Sequence, residues 1–168
     1  YEYNNPREDR ILSWDFTIEN GEFSVGPATV LGNPTLYQVE SIQADKYYQT
    51  LLVAEEMKEH HKVMALDLMT GEVIKEDLGN FDRGNDPEGI ALVVNKNNNG
   101  YWICTEQSKT DNRFHLYDRK TLEYKTTMYL DNVSYTDGIA TAYMHGKWFL
   151  YAVDNDARIV AFELPEIN

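Results

Sequence analysis

An internal repeat constrains this chain more than any other feature. Three stretches share one order of residue types. An acid opens a short apolar strand, a polar turn follows, a second strand closes on another acid, and a basic residue starts an alternating strand. They run from Val39-Glu40-Ser41-Ile42 to Leu51-Leu52-Val53-Ala54-Glu55-Glu56, from Asp86-Pro87-Glu88-Gly89-Ile90 to Tyr101-Trp102-Ile103-Cys104-Thr105-Glu106, and from Thr136-Asp137-Gly138-Ile139 to Phe149-Leu150-Tyr151-Ala152-Val153-Asp154. The openers Glu40, Glu88 and Asp137 lie 48 and 49 residues apart, and the closing acids Glu56, Glu106 and Asp154 follow 16, 18 and 17 residues later. Four-stranded repeats of about 40 to 50 residues are the signature of propeller blades. The expected fold is therefore all-β, a β-propeller of four-stranded blades.

The third strand of each repeat keeps the register. Arg10-Ile11-Leu12-Ser13-Trp14-Asp15-Phe16, Lys62-Val63-Met64-Ala65-Leu66-Asp67-Leu68, Arg113-Phe114-His115-Leu116-Tyr117-Asp118 and Arg158-Ile159-Val160-Ala161-Phe162-Glu163-Leu164 alternate as strands with one buried face do. Turns at Asn20-Gly21, Thr70-Gly71 and Lys120-Thr121 lead into a fourth, more polar strand. A β-sandwich is the competing architecture, but a sandwich has no reason to reuse acids at one register. The chain divides into a partial blade over 1–33 and blades over about 34–82, 83–131 and 132–168, which makes about three blades and a remainder. A closed ring needs about four to eight. Either a longer chain or a partner supplies the rest, or the partial blades meet in a compact ring, since an open arc leaves two unpaired edges.

Charge narrows the partners. Acids outnumber bases 28 to 15, for a net charge of −13, which argues against nucleic acid, whose phosphates need clustered Lys and Arg. No window approaches the roughly 20 apolar residues of a membrane span. The single cysteine, Cys104, sits mid-strand as a small buried hydrophobe. His60-His61 falls in a polar loop and reads as a solvated turn rather than a zinc site. Neither a phosphate loop nor a nucleophile elbow nor a Ser/His pairing is present. Asn132-Val133-Ser134 is a glycosylation sequon that matters only in a glycosylating compartment.

In a propeller the innermost strands surround a shared axis, so residues at one register in successive blades converge near its mouth. Glu40, Glu88 and Asp137 are expected to meet there. Buried carboxylates without compensation cost several kcal/mol each, so they are protonated or they hold cations. Asp and Glu without Cys or paired His select hard, oxygen-seeking ions, and flexible loop spacing suits Ca²⁺ better than Mg²⁺. The plainer alternative has each acid capping a turn by accepting backbone N–H groups.

Several short motifs then occur in one order: Gln38-Val39-Glu40-Ser41-Ile42-Gln43-Ala44-Asp45, Val53-Ala54-Glu55-Glu56, Asp86-Pro87-Glu88-Gly89, Gly100-Tyr101-Trp102-Ile103, Tyr117-Asp118-Arg119, and Asp131 to Thr136-Asp137-Gly138-Ile139. In order and spacing the chain resembles the β-propeller phytases, from the Arg10 strand to the C-terminus. It is similar to the C-terminal half of that family's six-bladed domain. The resemblance implies a calcium-dependent phosphomonoester hydrolase acting on phytate or related inositol phosphates, with several Ca²⁺ ions and a metal-bound water as nucleophile. It implies catalytic roles for Glu40, Glu88, Asp137 and Arg7, and metal ligation by Glu40, Glu56, Asp86, Glu88, Asp131 and Asp137. Arg7 matches a phosphate-binding lysine, so the charge is retained. Ser41, Pro87, Val133 and Tyr135 depart from the family's motifs, and other phosphate-binding residues belong to an N-terminal half that these residues do not include. The resemblance also implies a secreted or periplasmic location, where millimolar Ca²⁺ suits weak sites. Two other readings stand beside it: a non-catalytic propeller whose calcium sites brace loops for a partner, and a lactonase-like propeller with one central metal.

Overall fold

The computed structural model describes residues 9–32, 34–82 and 84–165. Thirteen strands form four antiparallel sheets, and the helical content of the described residues is one 3-10 turn, Lys96–Asn98. The first sheet is a two-stranded hairpin of β1 (Leu12–Glu19) and β2 (Glu22–Val30). The second sheet holds β3 (Val39–Asp45), β4 (Thr50–Glu55), β5 (Lys62–Asp67) and β6 (Val73–Lys75) in chain order. The third repeats that meander with β7 (Asp86–Val94), β8 (Gly100–Gln107), β9 (Arg113–Asp118) and β10 (Tyr124–Tyr129). The fourth has β11 (Ile139–Met144), β12 (Lys147–Asp154) and β13 (Arg158–Glu163). No described helix is long and apolar enough to cross a membrane.

The expected turns fall where the hairpins need them. Asn20 and Gly21, with φ of 53° and 83°, join β1 to β2, as a two-residue turn between right-twisted strands requires. The turns after β5 and β9 are built alike. Asp67 Oδ1 accepts the N–H groups of Met69 and Thr70 at 2.9 and 2.8 Å, and Asp118 Oδ1 accepts those of Lys120 and Thr121 at 2.9 Å. The repeat read from the sequence is thus repeated in turn chemistry.

Packing between sheets follows from period-two alternation. In β4, Leu52 and Ala54 face the third sheet, where they meet Trp102, Cys104 and Tyr117, while Leu51 and Val53 point to the other face with Met64, Leu66 and Leu36. In β8, Trp102 and Cys104 join that first cluster, and Tyr101 and Ile103 pack with Phe114, Leu116, Leu150 and Ala152 toward the fourth sheet. Each middle sheet is therefore buried on both faces. This corrects the expectation of one buried face for the Lys62 and Arg113 strands: β9 lies between the second and fourth sheets, and β5 has the third sheet on one face and Ile11, Leu31 and Leu36, from the segments flanking the hairpin, on the other. The Arg10 strand departs the other way: Leu12, Trp14, Phe16 and Ile18 of β1 are all exposed.

The first strands of the three larger sheets, β3, β7 and β11, are the edge strands that approach one another, with β7 in contact with both others. Side chains bridge them. Ser41 Oγ accepts the Ile90 N–H at 3.2 Å, and Thr141 Oγ1 donates to the Leu92 carbonyl at 2.7 Å. Gly89 permits the close approach, since a Cβ there would lie 2.9 Å from the Ile139 nitrogen and 3.1 Å from the Asp137 carbonyl oxygen. Sequence similarity at these edges becomes spatial convergence.

Candidate functional site

Chain direction sorts the acids. β3, β7 and β11 all begin at the same end of the molecule, so Glu40, Asp86, Glu88 and Asp137 share one rim, and Glu56 reaches it from the end of β4. Their electrostatics show the convergence. Burial pushes the Glu88 carboxyl up to about 8, and the charges of Glu56, Glu40, Asp137 and Asp86 push with it. Burial likewise lifts Glu56 to about 7, reinforced by a hydrogen bond and charge from Glu40 and by the charges of Asp86 and Asp137. Asp137 is raised by burial and by Asp156 and Glu40, against a hydrogen bond from Gln107. Five carboxyls from three sheets therefore act on one another.

Neutral amides hold two parts of this rim. Gln38 Nε2 donates to Glu40 Oε1 at 3.1 Å and also to Glu56 Oε2, and Gln107 Nε2 donates to Asp137 Oδ1. Amides satisfy lone pairs, and Gln107 thereby lowers the proton affinity of Asp137, but they bring no positive charge of the kind an ion pair supplies. As they stand, no three His, Cys, Asp or Glu side chains among the described residues are grouped closely enough to hold a metal ion. The donor chemistry nonetheless fits hard cations: carboxylate oxygens in excess, short of positive charge among the described residues, with two carboxyls retaining protons near neutrality.

Neighbouring acids have a different task. Glu55 accepts the Tyr37, Gln38 and Met57 N–H groups at 2.6, 2.7 and 3.1 Å. Glu106 accepts from Asp82 N–H at 3.3 Å and from Asn85 at 2.6 Å, and pairs with His115 at 2.7 Å and with Arg113 at 3.3 Å. Asp154 accepts the Ser134 N–H at 3.0 Å and pairs with Arg158 at 2.6 Å. Burial opposes ionisation of Glu106, yet its partners hold it below the usual range; Asp154 is lowered by Ser134 and Arg158. These three brace the loop entering each sheet's first strand. The residue of the first repeat equivalent to Glu106 and Asp154 is thus Glu55, which corrects the pairing of Glu56 with them. A one-residue step along the chain sends Glu56 to the rim and Glu55 inward.

The other candidates divide. Asp131 is exposed beyond β10 and does not figure among the charges acting on the rim acids. Arg7 lies outside the described residues. Cys104 is fully buried, and burial pushes its thiol well above the ordinary range, as a packing cysteine requires. Sequence reading missed Asp156, which joins Asp137 from the turn after β12. It also missed Gln38 and Gln107, because amides carry no charge pattern to follow. The solvated turn expected at His60-His61 holds for His60, which is exposed, but not for His61. His60 stacks on Tyr37 with centroids 4.1 Å apart, and the His61 side chain is 6% exposed, with Nε2 3.2 Å from Asp86 Oδ1.

No curated protein matches the chain. A family model does: residues 17–147 match the model described as phytase, a span that takes in β3 to β11 and every rim acid except Asp156. With most of its length matched, the chain belongs to the phytase family.

Proposed function

We propose that the chain is part of a calcium-dependent phosphomonoester hydrolase acting on phytate or related inositol phosphates, with its sheets arranged as propeller blades around the rim. Family membership supports a phosphorylated substrate. The observation that carries the calcium reading is the raised proton affinity of Glu56 and Glu88 among acids from three sheets. Carboxylates that repel one another, and that among the described residues lack arginine partners such as Glu106 and Asp154 have, are stabilised by multivalent cations.

Glu40, Glu56, Asp86, Glu88 and Asp137 are the residues that would hold Ca²⁺, with Asp131 a further ligand in this reading. Bound there, calcium supplies charge neutralisation for substrate phosphate and activation of a water nucleophile. The chain's own residues orient and select. Gln38 keeps Glu40 and Glu56 together, and Gln107 holds Asp137. Ser41, by fixing the Ile90 N–H, ties the Glu40 strand to the Glu88 strand. Arg7 adds a forked donor to a phosphate oxygen. No side-chain nucleophile is needed, in keeping with an inert Cys104. Further blades come from a longer chain or from a partner, and the setting is secreted or periplasmic, where Ca²⁺ is abundant.

Phosphate release from phytate is the test. It is expected with Ca²⁺ and is expected to be lost on chelation and in Glu88→Ala. Release that survives chelation sinks the metal reading, whereas calcium binding without release makes the chain a calcium-braced binding module.

A further inference from the structure

At the end of the sheets away from the rim, neighbouring sheets are joined in two different ways. Backbone bonds fix which residues correspond: Arg119 N–H donates to the Gly100 carbonyl and Leu164 N–H to the Trp148 carbonyl, so Arg119 and Leu164 hold one position in successive sheets. Asp45 and Val93 correspond likewise, as the partners of Thr50 and Tyr101. Between the second and third sheets these two positions are Arg119 and Asp45, joined by two hydrogen bonds, with the guanidinium lying over the rings of Tyr47 and Tyr48. Between the third and fourth sheets they are Leu164 and Val93, two members of one apolar cluster. Neither side chain extends as far as an arginine, and a cavity of about 1180 Å³ lies at this junction.

The walls of that cavity reverse the charge of the chain. They carry five of its 15 Lys and Arg against two acids, Asp118 and Glu163, in a molecule with 28 acids. Lys125 and Lys147 pair with those acids at 3.2 and 2.7 Å, but Lys96 and Lys120 have no carboxylate partner among the described residues. Asn95, Asn98 and Asn99 add amides, and Tyr143 and Trp148 add two rings with centroids 5.5 Å apart. We propose that this cavity binds a phosphorylated sugar or a similar polyhydroxylated ring, at a site separate from the acidic rim. Unpaired ammonium groups take the phosphate, in a cleft whose charge concentrates anions. Amides both donate and accept, which suits ring hydroxyls, and the aromatic faces take the apolar side of the ring. The volume is ample, since small-molecule sites run to about 1,000 Å³. β7 begins at the rim with Asp86 and ends at the cavity with Val94, so the two sites lie at opposite ends of one strand. This site needs neither calcium nor hydrolysis.

The test titrates the full chain with fructose bisphosphate by calorimetry in EDTA, where the calcium-free rim repels phosphate. Wild type is expected to bind, and Lys96→Ala/Lys120→Ala to bind at least about tenfold more weakly. Both lysines are exposed, so the double variant is expected to keep the wild-type melting temperature. Pyrophosphate, which has the charge without the ring, and fructose, which has the ring without the charge, are each expected to bind at least about tenfold more weakly than the bisphosphate. No binding by wild type, equal affinity in the double variant, or pyrophosphate binding as tightly as the bisphosphate overturns the proposal. So does altered affinity in Glu88→Gln, which would put the ligand at the rim.

Discussion

The turn end of the sheets and the acidic rim carry the same kind of group in opposite electrostatic states. At the turn end, Asp45 closes β3 and meets Arg119 of the next sheet in a forked pair, Nε to Oδ2 at 2.6 Å and Nη2 to Oδ1 at 2.8 Å. Arg119 also donates to the Asn98 carbonyl at 2.8 Å and lies over the rings of Tyr47 and Tyr48. Burial alone would raise Asp45, but Arg119 and the Tyr47 N–H outweigh it and the carboxyl is lowered. At the rim, burial and like charges act together and Glu88 rises. Both ends join neighbouring sheets. The turn end does so with a finished ion pair, and the rim does so with groups still short of positive charge. Structure needs closed pairs, whereas a binding site needs unfinished ones, and Glu106, fully buried yet lowered, shows that depth alone does not decide which is which.

The largest effect that tests this contrast is at the turn end. Arg119→Met leaves Asp45 buried and unpaired, and is expected to cost about 3–5 kcal/mol in urea unfolding. A loss below about 1 kcal/mol would break the contrast. At the rim the same removal of charge has the reverse sign. The folded state keeps the Glu88 proton up to about pH 8, while the unfolded chain releases it near 4.5, so metal-free stability falls as pH rises across that interval. Glu88→Gln is expected to stabilise the metal-free chain on the order of 2 kcal/mol above that range and to make no difference below it. Thermal melts at both extremes check this, and a destabilised variant at high pH contradicts it. The smallest effect sharpens the link between the two. Ser41→Ala unties Ile90 and is expected to cost about 1 kcal/mol, with weaker calcium binding through the displaced Glu88 strand. Unchanged calcium affinity would show that the strands hold their spacing without it.

Much of this was legible in the sequence, for reasons that can be named. Strand order, the Asn20-Gly21 turn and the meeting of Glu40, Glu88 and Asp137 follow from local chemistry repeated at a fixed interval. The two-faced burial of β5 and β9 was not, because a strand buried on both sides and one buried on a single side differ only in the size and polarity of alternate residues. Glu55 and Glu56 are adjacent identical residues, and only the pairing of Val39 with Glu55 tells which one faces inward. Arg119 was seen as part of a motif, but its partner lies 74 residues away and no local pattern points to it. His61 looked like a polar loop residue because its burial is imposed by a different sheet. Pairs made across sheets are where reading along the chain stops.

The central proposal is that the rim acids, short of positive charge among the described residues, bind hard cations. Calorimetric titration of the metal-free chain with Ca²⁺ near pH 7, repeated in buffers of different ionisation enthalpy, tests it most directly. The account predicts binding that releases protons to the buffer, because Glu56 at about 7 and Glu88 at about 8 must ionise to take part. Absence of binding, or binding with the same heat in every buffer, would contradict it.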